Sequence, residues 1–453
     1  MSSFSPIIGR MHPASLLVAS FAVTIVTGTL ILMLPFAVTG QPLCWIDALF
    51  TATSAVCVTG LTVVDTGRHF SLAGQWIILA LIQIGGLGVM TLSVTIFRLV
   101  GKSVSFRQRM LLQDVFNHTP RQDIYQLLKA IFLFTGIAEL AGAILLFVHW
   151  NGTYPPLTAA YMAVFHSISA FCNAGFALFQ DSLIADGTRV LAVLTIGGLI
   201  VLGGIGFPVI YDMSMMLTRP KGQRRRLSVQ TKTVLIVTGL LILAGMAFIW
   251  QLEAAGTLAR HSPGQALLAC FFQSVTCRTA GFNTIDIAAL SDATLTIMIV
   301  LMFIGASPGS CGGGVKTTTL ALLGALVWSR LNRCVRVNMF KKSVPAETVE
   351  RSMVLVLVAI GLIALVHLLM LIAGTGASLP HGPFLAYLFE TVSAFATVGL
   401  SVGVTPMLST IQKLAIVTMM FIGRVGVLTL AYLLTGGTAS KGVEHAEENM
   451  MIG

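Results

Sequence analysis

Long apolar runs alternate with short polar clusters along the whole 453-residue chain. The apolar runs are continuous, without the period-two alternation of a half-buried strand, so they read as helices. Four of them, at residues 14–34, 130–150, 233–252 and 353–373, have about the 20 residues a helix needs to span a bilayer. Each is followed by a shorter apolar run, at 46–57, 160–172, 265–277 and 384–396, too short to cross. A third run then begins near Gln75, Thr188, Ala293 or Thr410. The short runs must fold back, and the segment after each must be non-helical backbone at membrane depth. Such backbone is tolerated only where it is buried in protein or lines a wet cavity.

Composition sharpens the class. The chain is 56% hydrophobic and only 10% charged, against about 25% charged in a soluble domain. Membrane barrels are excluded because their alternating ten-residue segments are missing. The first apolar run has no small-residue cleavage pattern behind a short core, so a retained first helix is expected rather than a signal peptide. The seven cysteines show no Cys-x-x-Cys spacing and read as small buried apolar residues.

The net charge of +10 is explained by position. Of the 27 Lys and Arg residues, six lie in 98–129, six in 219–232 and six in 330–351, between apolar blocks. By the positive-inside rule these clusters and both termini are expected to be cytoplasmic. The segments carrying Asp47, Asp65, Asp181, Asp186, Glu253, Asp286 and Asp292 then face outside. Four blocks of about 100 residues follow, at 11–115, 123–230, 233–340 and 351–440, with a cytoplasmic tail at 441–453.

The blocks repeat one another. After each short run stands a glycine, in SAVCVTGLT, SAFCNAGFA, VTCRTAGFN and SAFATVGLS; these are Gly60, Gly175, Gly281 and Gly399. The Thr-Val-Gly at 397–399 is close to the start of the potassium-channel filter sequence. A second signature follows in each block: QIGGLGV, VLGGIGF, FIGASPG and FIGRVGV. Small residues also serve helix packing in membranes, but four matched glycines after four short helices argue for loops that aim carbonyls at a common cation. Glycine holds the backbone angles this needs, and the short helices would end there with their negative dipole ends. The expected fold is therefore all-α, with four pseudo-symmetric helix–pore-helix–loop–helix repeats around a central ion pore.

These two signatures, over almost the whole chain, resemble the Trk/Ktr/HKT superfamily of potassium transporters, and most of all its KtrB-type membrane subunit. The short stretch before the first helix favours the Ktr branch, and an intact Gly60 implies potassium rather than sodium preference. The resemblance implies filter roles for Val58, Thr59, Gly60 and Leu61; for Asn173, Ala174, Gly175 and Phe176; for Thr279, Ala280, Gly281 and Phe282; and for Thr397, Val398, Gly399 and Leu400. Leu or Phe stands where the channel filter has Tyr, so the site would be only pseudo-fourfold. Potassium is the implied transported ion, with sodium as an activating or coupled ion. A homodimer in the bacterial cell membrane is implied, with a cytosolic KtrA-type nucleotide-binding ring as partner. No nucleotide-binding fold exists in this chain, so nucleotide control would come through that partner.

The third block departs from the others in GASPGSCGGGVKTTT, residues 305–319. Five glycines and Pro308 interrupt what should be an inner helix. A phosphate-binding loop is excluded by the order Gly-Val-Lys-Thr and by the lack of a preceding strand. The resemblance implies an intramembrane gating loop carrying Gly305, Ser307, Gly309, Gly312, Gly313, Gly314 and Lys316; a static break is the alternative. Arg424 lies mid-helix in the fourth block, where a charge normally faces protein or water. It is expected either to complete the gate or to serve as a structural partner for loop carbonyls.

Three further groups stand out. Arg278 is expected behind the filter, paired with an acid such as Glu390. Glu139 lacks an evident partner and reads as a hydrogen-bonded carboxyl or a proton-coupling group. His166, expected at a pore-helix start, reads as a packing or capping residue. The competing class is a cation-coupled symporter, but its inverted repeats do not match blocks that all begin and end on one side. No His-Glu-x-x-His, paired intramembrane acids or Ser/His pair suggests an enzyme.

Overall fold

The computed structural model describes residues 13–88, 124–217, 227–374 and 379–427. Most of the basic segments at 98–129 and 219–232, and the tail at 441–453, lie outside the described residues. The chain is an all-α integral membrane protein. The exception among the described residues is a two-residue hairpin, Asn338–Met339 with Lys342–Ser343.

Helices follow in a fixed order. The first quarter has α1 (Pro13–Leu32), α2 (Trp45–Val56) and α3 (Leu72–Leu87). The second has α4 (Ile124–Trp150), α5 (Pro156–Phe171), α6 (Val190–Ile205) and α7 (Phe207–Leu217). The third has α8 (Val229–Glu253), α9 (Pro263–Thr276), α10 (Asp292–Phe303) and α11 (Thr317–Leu331). The fourth has α12 (Ala346–Ile372), α13 (Gly382–Phe395) and α14 (Thr410–Val425). The short helices α2, α5, α9 and α13 have 12, 16, 14 and 14 residues.

Burial runs opposite to that of a water-soluble protein. Every residue from Phe50 to Leu61 and from Phe389 to Leu400 is buried, polar ones included. The long helices instead turn large apolar side chains outward: Leu140 is 63% exposed, Leu240 61% and Leu365 65%. That surface suits lipid, and the polar backbone of the short segments is kept inside.

The inner helices start sharply because Ser71, Ser291 and Ser409 accept from backbone N–H groups one turn ahead. They also stop sharply. α3, α6 and α14 end at Gly88, Gly206 and Gly426, whose φ values of 80°, 95° and 95° only glycine adopts readily. After Gly206 the chain turns by 94° into α7. The third quarter's inner helix is expected to break; in the second quarter the helix also breaks, at Gly206, and α3 and α14 end at the matching Gly88 and Gly426. Arg424 accordingly lies in the last turn of α14 rather than in mid-helix.

The first glycine of each inner signature has a different task. A Cβ on Gly85, Gly203 or Gly423 would lie 2.0, 1.8 or 1.8 Å from the carbonyl oxygen of Val56, Phe171 or Phe395. Each inner helix therefore rests its bare backbone on the end of the short helix of its own quarter. In the third quarter Gly305 rests on the Gly313 carbonyl oxygen instead, at 2.2 Å from a would-be Cβ.

Candidate functional site

The four glycines that follow the short helices meet in a closed circuit. A Cβ on Gly60 would lie 2.5 Å from the carbonyl oxygen of Ala174, and one on Gly175 would lie 2.8 Å from that of Ala280. On Gly281 it would lie 2.5 Å from the Val398 oxygen, and on Gly399 2.0 Å from the Thr59 oxygen. Each glycine thus abuts the carbonyl of the residue before the next glycine, and the fourth returns to the first.

The backbone around these glycines is held in unusual angles. Gly60, Gly175, Gly281 and Gly399 have φ of 93°, 68°, 81° and 89°. Two residues earlier, Val58, Asn173, Thr279 and Thr397 are also left-handed, with φ of 56°, 59°, 73° and 52°. For the β-branched members this is a strained state, costing about 1–3 kcal/mol each. Left-handed angles at alternate positions turn successive carbonyls to the same side of the chain. The sequence pointed to the glycines; the second left-handed position was not legible, because Val and Thr seldom adopt it.

Hydrogen bonds from the short helices hold the strain. Backbone N–H groups of Thr59, Ala174, Ala280 and Val398 donate to Ser54, Ser169, Thr276 and Ser393 carbonyls at 2.7–3.0 Å. Ser54 and Ser393 Oγ accept from the N–H of Gly60 and Gly399 at 3.0 and 3.1 Å. Ser169 Oγ and Thr276 Oγ1 donate instead to the carbonyls of Phe176 and Phe282, at 2.8 and 2.6 Å. The carbonyls one residue past the glycines are therefore unevenly engaged. Those of Phe176 and Phe282 accept from short-helix hydroxyls, and among the described residues those of Leu61 and Leu400 do not.

The chain between α10 and α11 packs against this circuit. A Cβ on Gly312 would lie 2.0 Å from Thr279 Oγ1, and Gly313 N–H donates to Thr397 Oγ1 at 2.9 Å. The Asn173 amide lies 3.3 Å from Thr279 Oγ1. Toward the second quarter, Ser307 and Cys311 N–H donate to Gly204 and Gly203 carbonyls at 3.1 and 3.2 Å. Gly309 returns a carbonyl to Phe207 N–H at 3.0 Å. Gly314 and Gly309 take φ of 70° and 71°. Lys316 Nζ, rather than aiming at an acid, donates to the Gly312 carbonyl at 2.7 Å and lies 3.4 Å from that of Gly313. Arg424 Nη1 donates to the Cys311 carbonyl and Nη2 to that of Gly85. Both cations thus serve loop and helix carbonyls.

Several single-residue expectations need correction. Arg278 does not pair with Glu390. It is buried with its Nε unpartnered among the described residues, while Glu390 is satisfied by Ser401 and Thr405 hydroxyls of its own quarter. For Glu139 the hydrogen-bonded alternative agrees with the structure, and only its lack of a partner is corrected: Gln83 Nε2, from the first quarter, donates to its Oε2 at 3.2 Å. His166 lies well inside α5, which begins at Pro156. Cys44 and Cys334 are exposed, because they fall in a helix cap and a turn rather than on a packed face. Among the described residues no group of His, Cys, Asp or Glu could hold a metal ion.

Known proteins share this architecture. Residues 7–435 match the family model described as TrkH, cation transport protein. Ktr system potassium uptake protein B of Vibrio alginolyticus is 41% identical over 97% of this chain and 94% of its own length. The Bacillus subtilis protein of the same name is 38% identical over 93% of each chain. Potassium/sodium uptake protein NtpJ of Enterococcus hirae is 36% identical over 98% of each. The crystal structure of the potassium transporter TrkH from Vibrio parahaemolyticus superposes with a TM-score of 0.72 at 20% identity, covering 94% of this chain and 85% of that one.

Proposed function

The chain belongs to the TrkH family of cation transport proteins, as a membrane subunit of Ktr/Trk-type potassium uptake, and from that premise we propose how it conducts and gates. The four quarters are repeats around one pore. Carbonyls of Val58, Thr59, Asn173, Ala174, Thr279, Ala280, Thr397 and Val398, with those of the four glycines, replace part of the hydration shell of potassium. Leu61, Phe176, Phe282 and Leu400 close the outer end, where the uneven carbonyl row makes a weaker site. One observation carries this reading: the closed circuit from Gly60 through Gly175 and Gly281 to Gly399.

The loop from Gly305 to Lys316, with Ser307, Gly309, Gly312, Gly313 and Gly314, is the gate. It packs on the Thr279 and Thr397 hydroxyls of the filter, and Arg424 latches it through the Cys311 carbonyl. Its glycines allow it to move aside at little steric cost. The basic clusters and both termini lie on the cytoplasmic side of a bacterial membrane. A cytosolic nucleotide-binding ring docks there on a homodimer, which accords with relatives named as parts of a Ktr system. Sodium acts as a coupled or activating ion, in line with the name of the Enterococcus hirae relative.

The test is rubidium uptake into vesicles containing the purified chain, with potassium or sodium as competitor, for wild type and Gly60→Ser. Potassium should compete far better than sodium in wild type, and the variant should lose that preference. A wild type indifferent to potassium would refute the reading.

A further inference from the structure

Nine residues before the circuit glycines stand Thr51, His166, Phe272 and Glu390, one on each short helix. Their roles differ in a pattern. In the fourth quarter α13 holds the outgoing strand at two rungs. Ser393 Oγ accepts from Gly399 N–H at 3.1 Å. One turn earlier on the same helix face, Glu390 Oε1 accepts from Ser401 Oγ. Thr405 Oγ1 lies 3.1 Å from Glu390 Oε2, and Gly403 N–H donates to Ser401 Oγ at 2.9 Å, so Ser401 is fixed from both sides. The second quarter repeats this with other chemistry. Ser169 Oγ donates to the Phe176 carbonyl at 2.8 Å. One turn earlier, His166 Nε2 accepts from Leu178 N–H at 3.3 Å while Nδ1 donates to the Met162 carbonyl at 2.8 Å.

Among the described residues the short helices of the other two quarters supply no second rung of this kind. Thr51 Oγ1 donates at 2.8 Å to the Asp47 carbonyl of its own helix, and Phe272 has no polar side-chain atom. The circuit runs Gly60, Gly175, Gly281, Gly399, so the doubly held strands face each other across the axis. The two strands held at one rung by their own short helix occupy the other diagonal, and the third-quarter strand is held from the second quarter instead: Asn283 N–H donates to Ser182 Oγ at 3.2 Å and its carbonyl accepts from Leu183 N–H at 3.0 Å.

We propose that Glu390 and His166 are positioning residues for ion selectivity, bracing opposite strands so that the ring cannot close onto an ion smaller than potassium. Glu390 never touches the ion; it acts through Ser401, two residues beyond Gly399. A carbonyl ring distinguishes cations by cavity size or by the number and field of its dipoles, and arms free to move inward admit sodium. This inference rests on the reading of the glycine circuit as a potassium filter.

The full-length chain in vesicles tests it, with rubidium influx measured against competing potassium and sodium. The variants are Glu390→Ala, Ser401→Ala, their double, and Glu390→Gln. Each alanine variant should lower the potassium-over-sodium preference roughly fivefold, the scale of one lost hydrogen bond. The double should lose no more than either single, because both remove the same bond. Glu390→Gln, whose amide oxygen accepts the same hydroxyls, should restore most of the preference. Unchanged preference in Ser401→Ala, or additive losses in the double, overturns the proposal. Ser401 is only half-buried and lies on the strand, so its variant decides the matter if Glu390→Ala does not fold. A wild type that fails to prefer potassium would refute the filter reading; a selective wild type with equally selective variants would refute the brace alone.

Discussion

Arg424, in the last turn of α14, donates one guanidinium N–H to the carbonyl oxygen of Cys311 in the third quarter's loop. Its other Nη reaches the Gly85 carbonyl on α3. One side chain therefore ties the fourth quarter to the first and third near the ends of α3 and α14. A planar fork with fixed donors suits two carbonyls at once, and a lysine could not span both in the same geometry.

Arg424→Ala should release the loop. Hydrogen bonds from a charged donor are worth about 1.5–3 kcal/mol each, so rubidium influx should rise roughly tenfold or more. Arg424→Lys should fall between. Unchanged influx at normal expression would remove Arg424 from the proposed gate.

Gly399→Ala should abolish selective uptake. The added Cβ would sit 2.0 Å from the Thr59 carbonyl oxygen, at φ 89°. Gly136, on α4 with nothing within 4 Å of a would-be Cβ, is the contrast. Gly136→Ala should leave uptake intact and raise thermal stability in detergent by about 0.5–1 kcal/mol.

Lys413 Nζ lies 2.6 Å from Asp47 Oδ1, joining α14 to the first turn of α2 across the seam between the last and first quarters. Both side chains are largely covered, at 13% and 21% exposure. Removing one partner leaves a partly buried charge, so Asp47→Asn should destabilise the protein by about 1–3 kcal/mol. Melting in detergent would show it, and Lys413→Met in the same background should recover part of the loss.

His381 gives a pH prediction. It contacts Asp292 through Nδ1 at 2.5 Å, and its Nε2 donates to the Ala288 carbonyl at 2.8 Å. Burial alone would lower its pKa, but those hydrogen bonds and the Asp292 charge outweigh it and hold the value above the ordinary 6.5. The folded protein thus binds this proton more tightly than the unfolded chain. The stabilisation is complete below pH 6.5 and is lost as pH rises through the raised value. Because Asp292 is exposed, solvent screening limits it to a few tenths of a kcal/mol. Melting curves from pH 5 to 8 should show that slope in wild type and not in His381→Ala.

How much of this was legible in the sequence follows from the physics. Helix order and the four glycines were legible because a bilayer imposes length on apolar runs, and a left-handed bend imposes glycine. The start of α14 at Thr410 agrees with the reading, since Ser409 and Gln412 make a capping box there. The left-handed Val58 and Thr397 were hidden, because nothing in a β-branched side chain advertises strain that its surroundings impose. The partner of Glu139 was hidden because Gln83 stands on another quarter. Charge alone pairs Glu390 with Arg278, yet nearby hydroxyls satisfy the acid.

The circuit of four unlike strands sits on one polypeptide, and this bears on how a filter of the proposed kind evolves. In an assembly of four identical subunits, each codon change strikes all corners together, so a tolerable alteration must be tolerable in fourfold. Here a mutation touches a single corner while its three neighbours keep their geometry. Descendants can therefore explore ion preference in quarter-steps, and corners such as those of Glu390 and Phe272 are free to diverge.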